Sequence, residues 1–427
     1  MKIKSISVGG FRNIKKTKLY LDNITSIIAV NNYGKTNLLN AIKFGVDFIN
    51  NSEEIRESMM SWKSGIPLNP KVMNDNYEFE IEFEDENLKD YEDIRYGYSF
   101  SWYKNDNSGC KILDEYIDVK SKDAIKYSSL LRRENGKYRK NKEVKSMASI
   151  KLDYNVLSVD ILRHFRGEKI SDVSKLIKGI NILECDSLDT RPYYDEVPFE
   201  FGGGFSSVPK LIYNLKQKDF ERYLDLTEYF YELFPDFEEI YVDSIKINPS
   251  IDMNINNENF KDIPFKILDE IQRVTIKSKY INQPISLDMM SAGTKRVIWL
   301  LTSMISAKYN NCSIIFIEEI ETSIHPKLIK NLLKIISEIS QKTGIKVLMT
   351  SHSPLAIQYL KPKSLYIGKS SDYGDATFSK LKKSKINPMN KIARARGLSL
   401  GELIFDILSD NLNSNNVMKL ILENSNE

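Results

Sequence analysis

A glycine, a lysine and a threonine that could hold a phosphate chain stand together near the start of the sequence. The segment Ala29-Val30-Asn31-Asn32-Tyr33-Gly34-Lys35-Thr36 has the spacing of a P-loop, with alanine in the place of the first glycine. In such a loop, backbone N–H groups at a helix N-terminus surround the phosphates, Lys35 reaches their β and γ oxygens, and the Thr36 hydroxyl binds Mg²⁺. The alternative is an ordinary strand-to-helix turn that happens to contain Gly-Lys-Thr.

Two carboxylates follow a buried strand further along the chain. Residues 314–317 are uniformly apolar and lead directly to Glu318 and Glu319. Paired acids at the end of a buried strand are costly unless they meet a cation or transfer a proton. We expect Glu318 to hold Mg²⁺, through water, and Glu319 to orient or deprotonate an attacking water molecule. The alternative is a solvated strand end at which Glu318, Glu319 and Glu321 form only a charged edge.

A histidine ends a second apolar strand, predicted over residues 347–350. Because neighbouring parallel strands place their carboxyl ends at one edge of a sheet, where ligands bind, His352 is a candidate contact for the γ-phosphate. A lone histidine is more often held structurally by hydrogen bonds, and we expect this for His325.

Ser291 and Gly293 stand at the start of a predicted helix and form a second candidate anion site. A serine cap followed by glycine leaves N–H groups at the positive end of a helix. An ordinary N-cap is the alternative. One P-loop needs no second phosphate site, unless that site serves the nucleotide of a partner molecule.

The elements that must position these residues form an α/β pattern. Apolar residues predict strands at 3–8 and 24–30 and a helix from Lys35, so the P-loop joins a strand to a helix. Strict alternation at 77–84 and 96–102 predicts an antiparallel lobe, a helical stretch follows at about 208–233, and alternation returns within 238–285. This order predicts an α/β sheet interrupted by a long α+β insertion.

Four segments follow from that order. We expect residues 1–64 and 286–370 to form the two parts of the core, 65–285 the insertion lobe, and 371–427 a basic segment with a helical tail.

Composition limits the class of protein. The chain has 427 residues, 41% apolar and 28% charged, with a formal net charge of +3, which is typical of a globular protein. Cys110, Cys185 and Cys312 are widely separated, which argues against a disulfide scaffold or a metal cluster. The N-terminus does not resemble a signal peptide, and no apolar run is long enough to span a membrane. We therefore expect a cytoplasmic protein with no membrane partner.

Taken together, the motifs resemble those of the RecF, SMC and OLD group of ABC-type ATPases, especially the bacterial AAA15 or AAA21 type. The matching segments are Gly10-Phe11-Arg12-Asn13-Ile14 for the N-terminal strand, Asn31–Leu39 for Walker A, Ser291–Thr294 for the signature, Glu318–Glu321 with Ile324-His325-Pro326 for Walker B and the D-loop, and Thr350–Pro354 for the switch histidine. The resemblance covers nearly the whole chain.

The resemblance implies a P-loop NTPase fold of the ABC-ATPase type, with ATP and Mg²⁺ as ligands. The residues implied to contact the nucleotide are Asn31, Asn32, Tyr33, Gly34, Lys35, Thr36, Asn37, Ser291 and Gly293. Thr36 and Glu318 are implied to hold the metal, and Glu319 and His352 to act in catalysis. Ser291 and Gly293 would contact the γ-phosphate bound on the opposite subunit, so that ATP joins a homodimer.

Three functions are candidates for a chain with these motifs. The preferred hypothesis is an ATP-driven switch that acts with a separately encoded effector in phage defence or DNA repair. A nucleotide- or DNA-sensing module with little or no hydrolysis is the alternative. A transporter subunit is less favoured, because such subunits carry a Gly-Gly-Gln signature and a Q-loop, and no glutamine lies between the Walker A helix and residue 110. The 75 residues after His352 contain no Asp-x-Asp, so we do not expect DNA cleavage by a Toprim domain in this chain.

The C-terminal part begins with a run of cations. Residues 380–396 contain Lys380, Lys382, Lys383, Lys385, Lys391, Arg394 and Arg396 and no acid. Contact with a nucleic-acid backbone and a solvated surface are both open interpretations. After Gly397, apolar residues at helical spacing predict an amphipathic helix that packs on the core or on a partner protein.

Overall fold

The computed structural model describes residues 1–69, 72, 75–88, 90–104, 108–134, 137–140, 152–165, 169–185, 199–201, 207–246, 265–267, 270–307, 312–370, 374–409, 417 and 420–423, with the backbone alone at 137–140, 199–201, 265–267 and 370. The chain divides into two compact units, each made of segments that are not contiguous in sequence. The first comprises Met1–Glu184, Asn311–Ile320 and Ser340–Glu427, and the second comprises Cys185–Asn310 and Glu321–Ile339.

Strands and helices come in runs of two or more over most of the chain, and they alternate singly only near the C-terminal end of the order, from the helix Ala292–Ser306 to the strand Leu365–Ser370. The described strands are β1 (Lys2–Gly9), β2 (Thr17–Tyr20), β3 (Ile24–Ile28), β4 (Tyr77–Glu84), β5 (Tyr91–Ser101), β6 (Lys111–Ser121), β7 (Ser128–Glu134), β8 (Lys137–Lys140), β9 (Ile182–Cys185), β10 (Phe199–Phe201), β11 (Phe237–Lys246), β12 (Phe265–Ile267), β13 (Glu270–Ser278), β14 (Ile285–Ser286), β15 (Ile314–Ile317), β16 (Lys346–Ser351), β17 (Leu365–Ser370) and β18 (Ala376–Lys380). The described α-helices are α1 (Lys35–Asn50), α2 (Glu53–Met60), α3 (Ser158–Leu162), α4 (Lys169–Lys178), α5 (Val208–Lys218), α6 (Phe220–Leu233), α7 (Ala292–Ser306), α8 (Pro326–Thr343), α9 (Pro354–Gln358), α10 (Lys383–Ala395) and α11 (Leu400–Ser409).

The first unit contains a seven-stranded sheet in the order β2-β1-β4-β5-β6-β7-β8, with antiparallel neighbours. Along β4, buried aromatic and aliphatic residues alternate with glutamates that are more exposed. This is the period of a strand with one face on the core and one in water, so the predicted half-buried antiparallel strands are confirmed, and β1 and β2, from the segment expected in the core, belong to the same sheet.

Helix α1 packs on the buried face of this sheet through aromatic side chains. The ring of Phe48 stacks on Phe100 with centroids 4.9 Å apart, and Phe44 meets Tyr77 edge to face at 5.1 Å. Gly45 allows the close approach, because an added Cβ would lie 2.1 Å from the ring of Phe79. Burial of each such aromatic side chain contributes about 1.5–3 kcal/mol, so α1 is anchored firmly behind the loop that precedes it.

A second sheet of the first unit has the order β18-β17-β3-β16-β15-β9. Strand β16 pairs in parallel with β3 on one side and β15 on the other, and β17 pairs in parallel with β3. All residues of β3, β15 and β16 are buried, as expected for central strands of a parallel sheet covered on both faces. Strand β3 precedes the long insertion and the other parallel strands follow it, so the predicted split core sheet is confirmed.

The second unit combines helices with a three-stranded antiparallel sheet, β11-β13-β14. The helical stretch predicted at about 208–233 is two helices, because Asp219 leaves the helical conformation and its carboxylate accepts the N–H of Arg222 as the N-cap of α6. The alternation predicted within 238–285 appears in β11 and β13, and residues 247–264 lie outside the described part of the chain.

The C-terminal helices complete the first unit. Ser399 and Glu402 form a capping box at the start of α11, since each side chain accepts the backbone N–H of the other. Leu403, Ile404 and Leu408 of this helix are buried in a cluster with Ile28 and Ile367 of the parallel sheet. The predicted amphipathic helix is confirmed, and it packs on the core. Within the described residues, no helix is both long and apolar enough to cross a membrane.

Candidate nucleotide site

The loop between β3 and α1 has the features of a phosphate-binding loop. Gly34 has a φ of 91° and Asn32 a φ of 65°, so two of its residues are left-handed, a conformation that glycine and asparagine tolerate best. Within the described residues no side chain caps α1 and its first turn holds no acid, so no carboxylate of that turn offsets the positive end of the helix. The loop therefore suits an anion.

Lysine and alanine are both accommodated in this loop. Lys35 is 7% exposed, and its Nζ donates to the carbonyl oxygens of Ala29 at 2.8 Å and Val30 at 3.3 Å. Ala29 is fully buried, and a Cβ added at Gly368 of β17 would lie 2.7 Å from its methyl group. The absence of a side chain at Gly368 therefore makes space for the methyl group of Ala29, the residue in the place of the first P-loop glycine.

A hydrogen-bonded network supports the loop from the N-terminal segment. Arg12 Nη1 donates to Asn37 Oδ1 at 2.8 Å, and Asn37 Nδ2 donates to Asn13 Oδ1 at 2.8 Å. A Cβ on Gly34 would lie 3.1 Å from Asn13 Oδ1, so glycine also makes space for this network. The Arg12 Nε is buried and has no hydrogen-bond partner among the described residues.

The acidic strand end has an unusual backbone. Glu319 follows β15 with a φ of 46°, a left-handed conformation that costs about 1–2 kcal/mol for a residue other than glycine. Its N–H donates to the Thr350 Oγ1 of β16 at 3.0 Å, and Thr350 is 3% exposed. Backbone strain of this kind is concentrated at functional sites, where a side chain must be held in one direction. The Glu319 side chain is 49% exposed, so it is held in place while its carboxylate stays open to solvent.

Three strand ends bring the predicted residues of the first unit together. Ile28 pairs with Ser351, and Ile317 pairs with Met349, in parallel register. The P-loop, the acidic pair and His352 therefore leave the same edge of the sheet, as predicted. His352 Nε2 lies 4.0 Å from Glu319 Oε1, and the His352 side chain is 30% exposed. The exposed hydroxyl of Thr36 and the half-buried carboxylate of Glu318 are the predicted ligands of a hard cation, and this role stays a prediction.

The signature residues belong to the second unit. Ser291 caps α7, since its Oγ accepts the N–H of Thr294 at 3.1 Å. Gly293 lies against the Ser323 carbonyl oxygen, which a Cβ at that position would approach to 2.6 Å. The N-cap that was the alternative for Ser291 is thus present, and a role toward a partner's nucleotide stays a prediction. His325 accepts the N–H of Lys327 through Nδ1 at 3.3 Å, and the structural role expected for this histidine stays a prediction.

The motifs of this site match a known family. The family model AAA_15, described as an AAA ATPase domain, matches residues 1–357. The chain belongs to this family. The expected resemblance to AAA15-type ATPases and the P-loop NTPase fold are confirmed. Every predicted site residue lies inside the AAA_15 segment, whereas β17, β18, α10 and α11 follow it.

Solved structures match most of this AAA_15 chain at low identity. The SMC head domain from Thermotoga maritima is 10% identical with a TM-score of 0.44, covering 90% of this chain and 100% of that one. An SMC head bound to the C-winged helix domain of ScpA is 14% identical with a TM-score of 0.49, covering 90% of this chain and 99% of that one. An SMC head with an extended coiled coil bound to the C-terminal domain of ScpA, derived from Pyrococcus furiosus, is 12% identical with a TM-score of 0.48, covering 92% of this chain and 99% of that one. No curated protein matches the chain. Because all three TM-scores are below 0.5, the family assignment rests on the sequence match.

Two supports of the site are not predicted as functional residues from the sequence. Arg12 and Asn13 are expected there only as part of the segment that resembles the N-terminal strand, and Thr350 only as a strand residue at the start of the segment that resembles the switch histidine. A signal is present in the first case, because two polar residues stand between Phe11 and Ile14, which are both buried. Threonine within a β-strand carries no such signal, since strands favour threonine for its shape.

Proposed function

We propose that the chain binds Mg-ATP at the edge formed by β3, β15 and β16 and hydrolyses it. The observation that carries this proposal is the convergence of the P-loop with a strained glutamate and a histidine 4.0 Å apart on adjacent parallel strands. A solvated strand end does not require Glu319 to be held in a left-handed conformation by a buried threonine. A general base, in contrast, must be held in one direction.

The loop residues each have a task in this proposal. Backbone N–H groups from Asn31 to Asn37 surround the phosphates, with Asn32 and Gly34 in the conformations that turn these groups inward. Lys35 exchanges its bonds to two loop carbonyls for bonds to phosphate oxygens. The site therefore fits a triphosphate on charge and on hydrogen-bonding capacity.

Hydrolysis requires a water molecule to be placed and deprotonated. Glu319 accepts a proton from the water at its carboxylate, and His352 donates a hydrogen bond toward the terminal phosphate. Thr36 and Glu318 would hold Mg²⁺, which would supply positive charge that offsets the negative charge of the transferred phosphoryl group.

We also propose that two copies assemble when ATP binds. Ser291 and Gly293 lie at the N-terminus of α7 in the second unit, whereas the P-loop lies in the first. By resemblance to ABC-type ATPases, such a signature would contact the γ-phosphate bound on the opposite subunit, and this resemblance supports the proposal. Cytoplasmic action with a separately encoded effector, in phage defence or DNA repair, extends the proposal by the same resemblance.

A sensing module that binds nucleotide with little or no hydrolysis is the second candidate. The observation that favours it is the engagement of Lys35 with the carbonyls of its own loop, which phosphate oxygens must displace. The two candidates differ in turnover and agree on nucleotide binding.

The test is steady-state ATP hydrolysis, with size-exclusion chromatography in the presence and absence of ATP. Wild type is compared with Lys35→Ala and Glu319→Gln, and with Lys63→Ala and Glu86→Gln as matched changes at exposed residues. We expect Lys35→Ala to lose ATP binding, and Glu319→Gln to bind ATP, lose hydrolysis and remain in an ATP-dependent dimer. Unchanged hydrolysis in Glu319→Gln would remove the catalytic assignment. ATP binding by the wild type without turnover would support the sensing module.

A further inference from the structure

Helix α10 presents an exposed cationic surface with no acid of its own. Residues 380–396 hold seven cations and no carboxylate, and five of the cations are exposed on or beside this helix: Lys383, Lys385, Lys391, Arg394 and Arg396. Within the described part of the chain none of these five forms an ion pair, and no other helix of this unit combines so many exposed cations with no acid. We name these five residues the α10 cation surface.

Most cations on the antiparallel sheet of the first unit, unlike those of α10, are paired with an acid. On the antiparallel sheet most exposed or half-buried cations lie beside a carboxylate, as in the pairs Lys2–Glu84, Lys16–Glu78, Lys18–Glu80, Arg95–Glu82, Lys120–Glu92 and Arg132–Asp118. The chain as a whole is close to neutral, at +3. A concentrated, unbalanced positive surface on a nearly neutral protein repels itself, so it is best explained by a polyanionic ligand.

The packing of α10 decides which polyanion fits. Its apolar residues Met389 and Ala393 are buried in the core of the first unit, so they cannot enter a lipid layer, and among its large apolar side chains Ile392, 48% exposed, is the one left at the surface. An interfacial helix needs a free apolar face, and a protein interface needs an apolar centre. A nucleic-acid backbone needs neither, because its affinity comes from charge.

Spacing along the helix is also suitable. In regular helix geometry Lys383, Lys391 and Arg394 would fall within about 80° of one another around the axis, and Lys383 and Arg394 would be about 16 Å apart along it at 1.5 Å per residue, with Pro388 between them. That length is the rise of about five base pairs. From this arrangement we propose that the α10 cation surface binds the phosphate backbone of a nucleic-acid duplex, without reading its sequence. This site lies outside the AAA_15 segment and beyond the proposed ATPase activity.

The experiment is fluorescence anisotropy of a labelled DNA duplex, and of an RNA duplex of the same sequence, titrated with the full chain without nucleotide at several salt concentrations. The variant reverses three charges, Lys383→Glu, Lys391→Glu and Arg394→Glu. We expect its slope of log affinity against log salt to fall by about 0.9 for each phosphate that is no longer neutralised, about 2.7 in all on DNA. The neutral variant with glutamine at the same three positions should show the same direction of change.

A matched control carries Lys111→Glu, Lys122→Glu and Lys126→Glu, which are exposed lysines of the antiparallel sheet and its turn. The control should bind as the wild type does, and the tighter of the two duplexes then identifies the nucleic acid. Three results would each overturn the proposal. The control could weaken duplex binding as much as the α10 variant does, or the α10 variant could leave the salt slope unchanged. The chain could also bind anionic lipid vesicles in place of both duplexes. Lys35→Ala should bind duplex normally, so failure here is distinct from failure of the ATPase proposal.

Discussion

Replacing Thr350 by valine tests how Glu319 is held. Valine has the shape of threonine and suits a strand, but it removes the Oγ1 that accepts the Glu319 N–H at 3.0 Å. An unsatisfied donor in a partly buried place costs about 1–3 kcal/mol, so we expect the free energy of unfolding to fall by that amount. Urea titration measures it.

The effect on hydrolysis follows from the backbone strain. The left-handed conformation of Glu319 costs about 1–2 kcal/mol, and Thr350 provides a bond that offsets this cost. Without the bond, the population with Glu319 in place falls by about 5–30-fold, and we expect kcat to fall in proportion. KM for ATP should change little, because the P-loop residues are untouched.

Thr350→Ser is the matched control, since it keeps the hydroxyl and removes only a methyl group. We expect serine to retain most of the activity. A valine variant with wild-type kcat would refute the reasoning, and so would a serine variant as impaired as the valine variant. The first result would mean that the hydrogen bond does not hold Glu319, and the second that packing of the methyl group matters more.

Two further predictions concern packing and pH. Gly401→Ala adds a Cβ 2.2 Å from the Pro354 carbonyl oxygen, and the overpacking cost of about 1–3 kcal/mol outweighs the helix-propensity gain of about 1 kcal/mol. We therefore expect urea titration to show a lower free energy of unfolding for this variant. Gly179→Ala is the control and should lose no stability, because no atom would lie closer than 3.4 Å to the added Cβ. Burial alone would raise the pKa of Glu80, but the hydrogen bonds from Tyr116 and Lys18 lower it by more, so the net pKa lies below the ordinary value of 4.5. Its stabilising contribution is therefore present above the unfolded pKa and lost as pH falls, so the Tm deficit of Glu80→Gln should be largest near neutral pH and shrink in acid; a constant deficit would contradict this.

The predictable part of the fold is encoded in local patterns. Strand alternation in β4, the apolar runs of β3 and β15, and the helix that starts at Lys35 each depend on neighbouring residues alone. Parallel strands then bring their carboxyl ends to one edge, which is why the P-loop, Glu319 and His352 could be expected together. The break at Asp219 could not be expected in the same way, because the apolar spacing continues across it.

The sequence by itself determined the residue types of the candidate site and their order along the strands, because motif spacing and hydrophobic period are local properties. Only the tertiary structure decided what supports that site. Thr350 meets Glu319, Arg12 meets Asn37, and Gly368 makes room for Ala29 through pairing between segments far apart in the chain. It also decided that the apolar face of α10 is buried while its cations stay exposed. Such contacts depend on register and packing distance, which no local pattern of residues records.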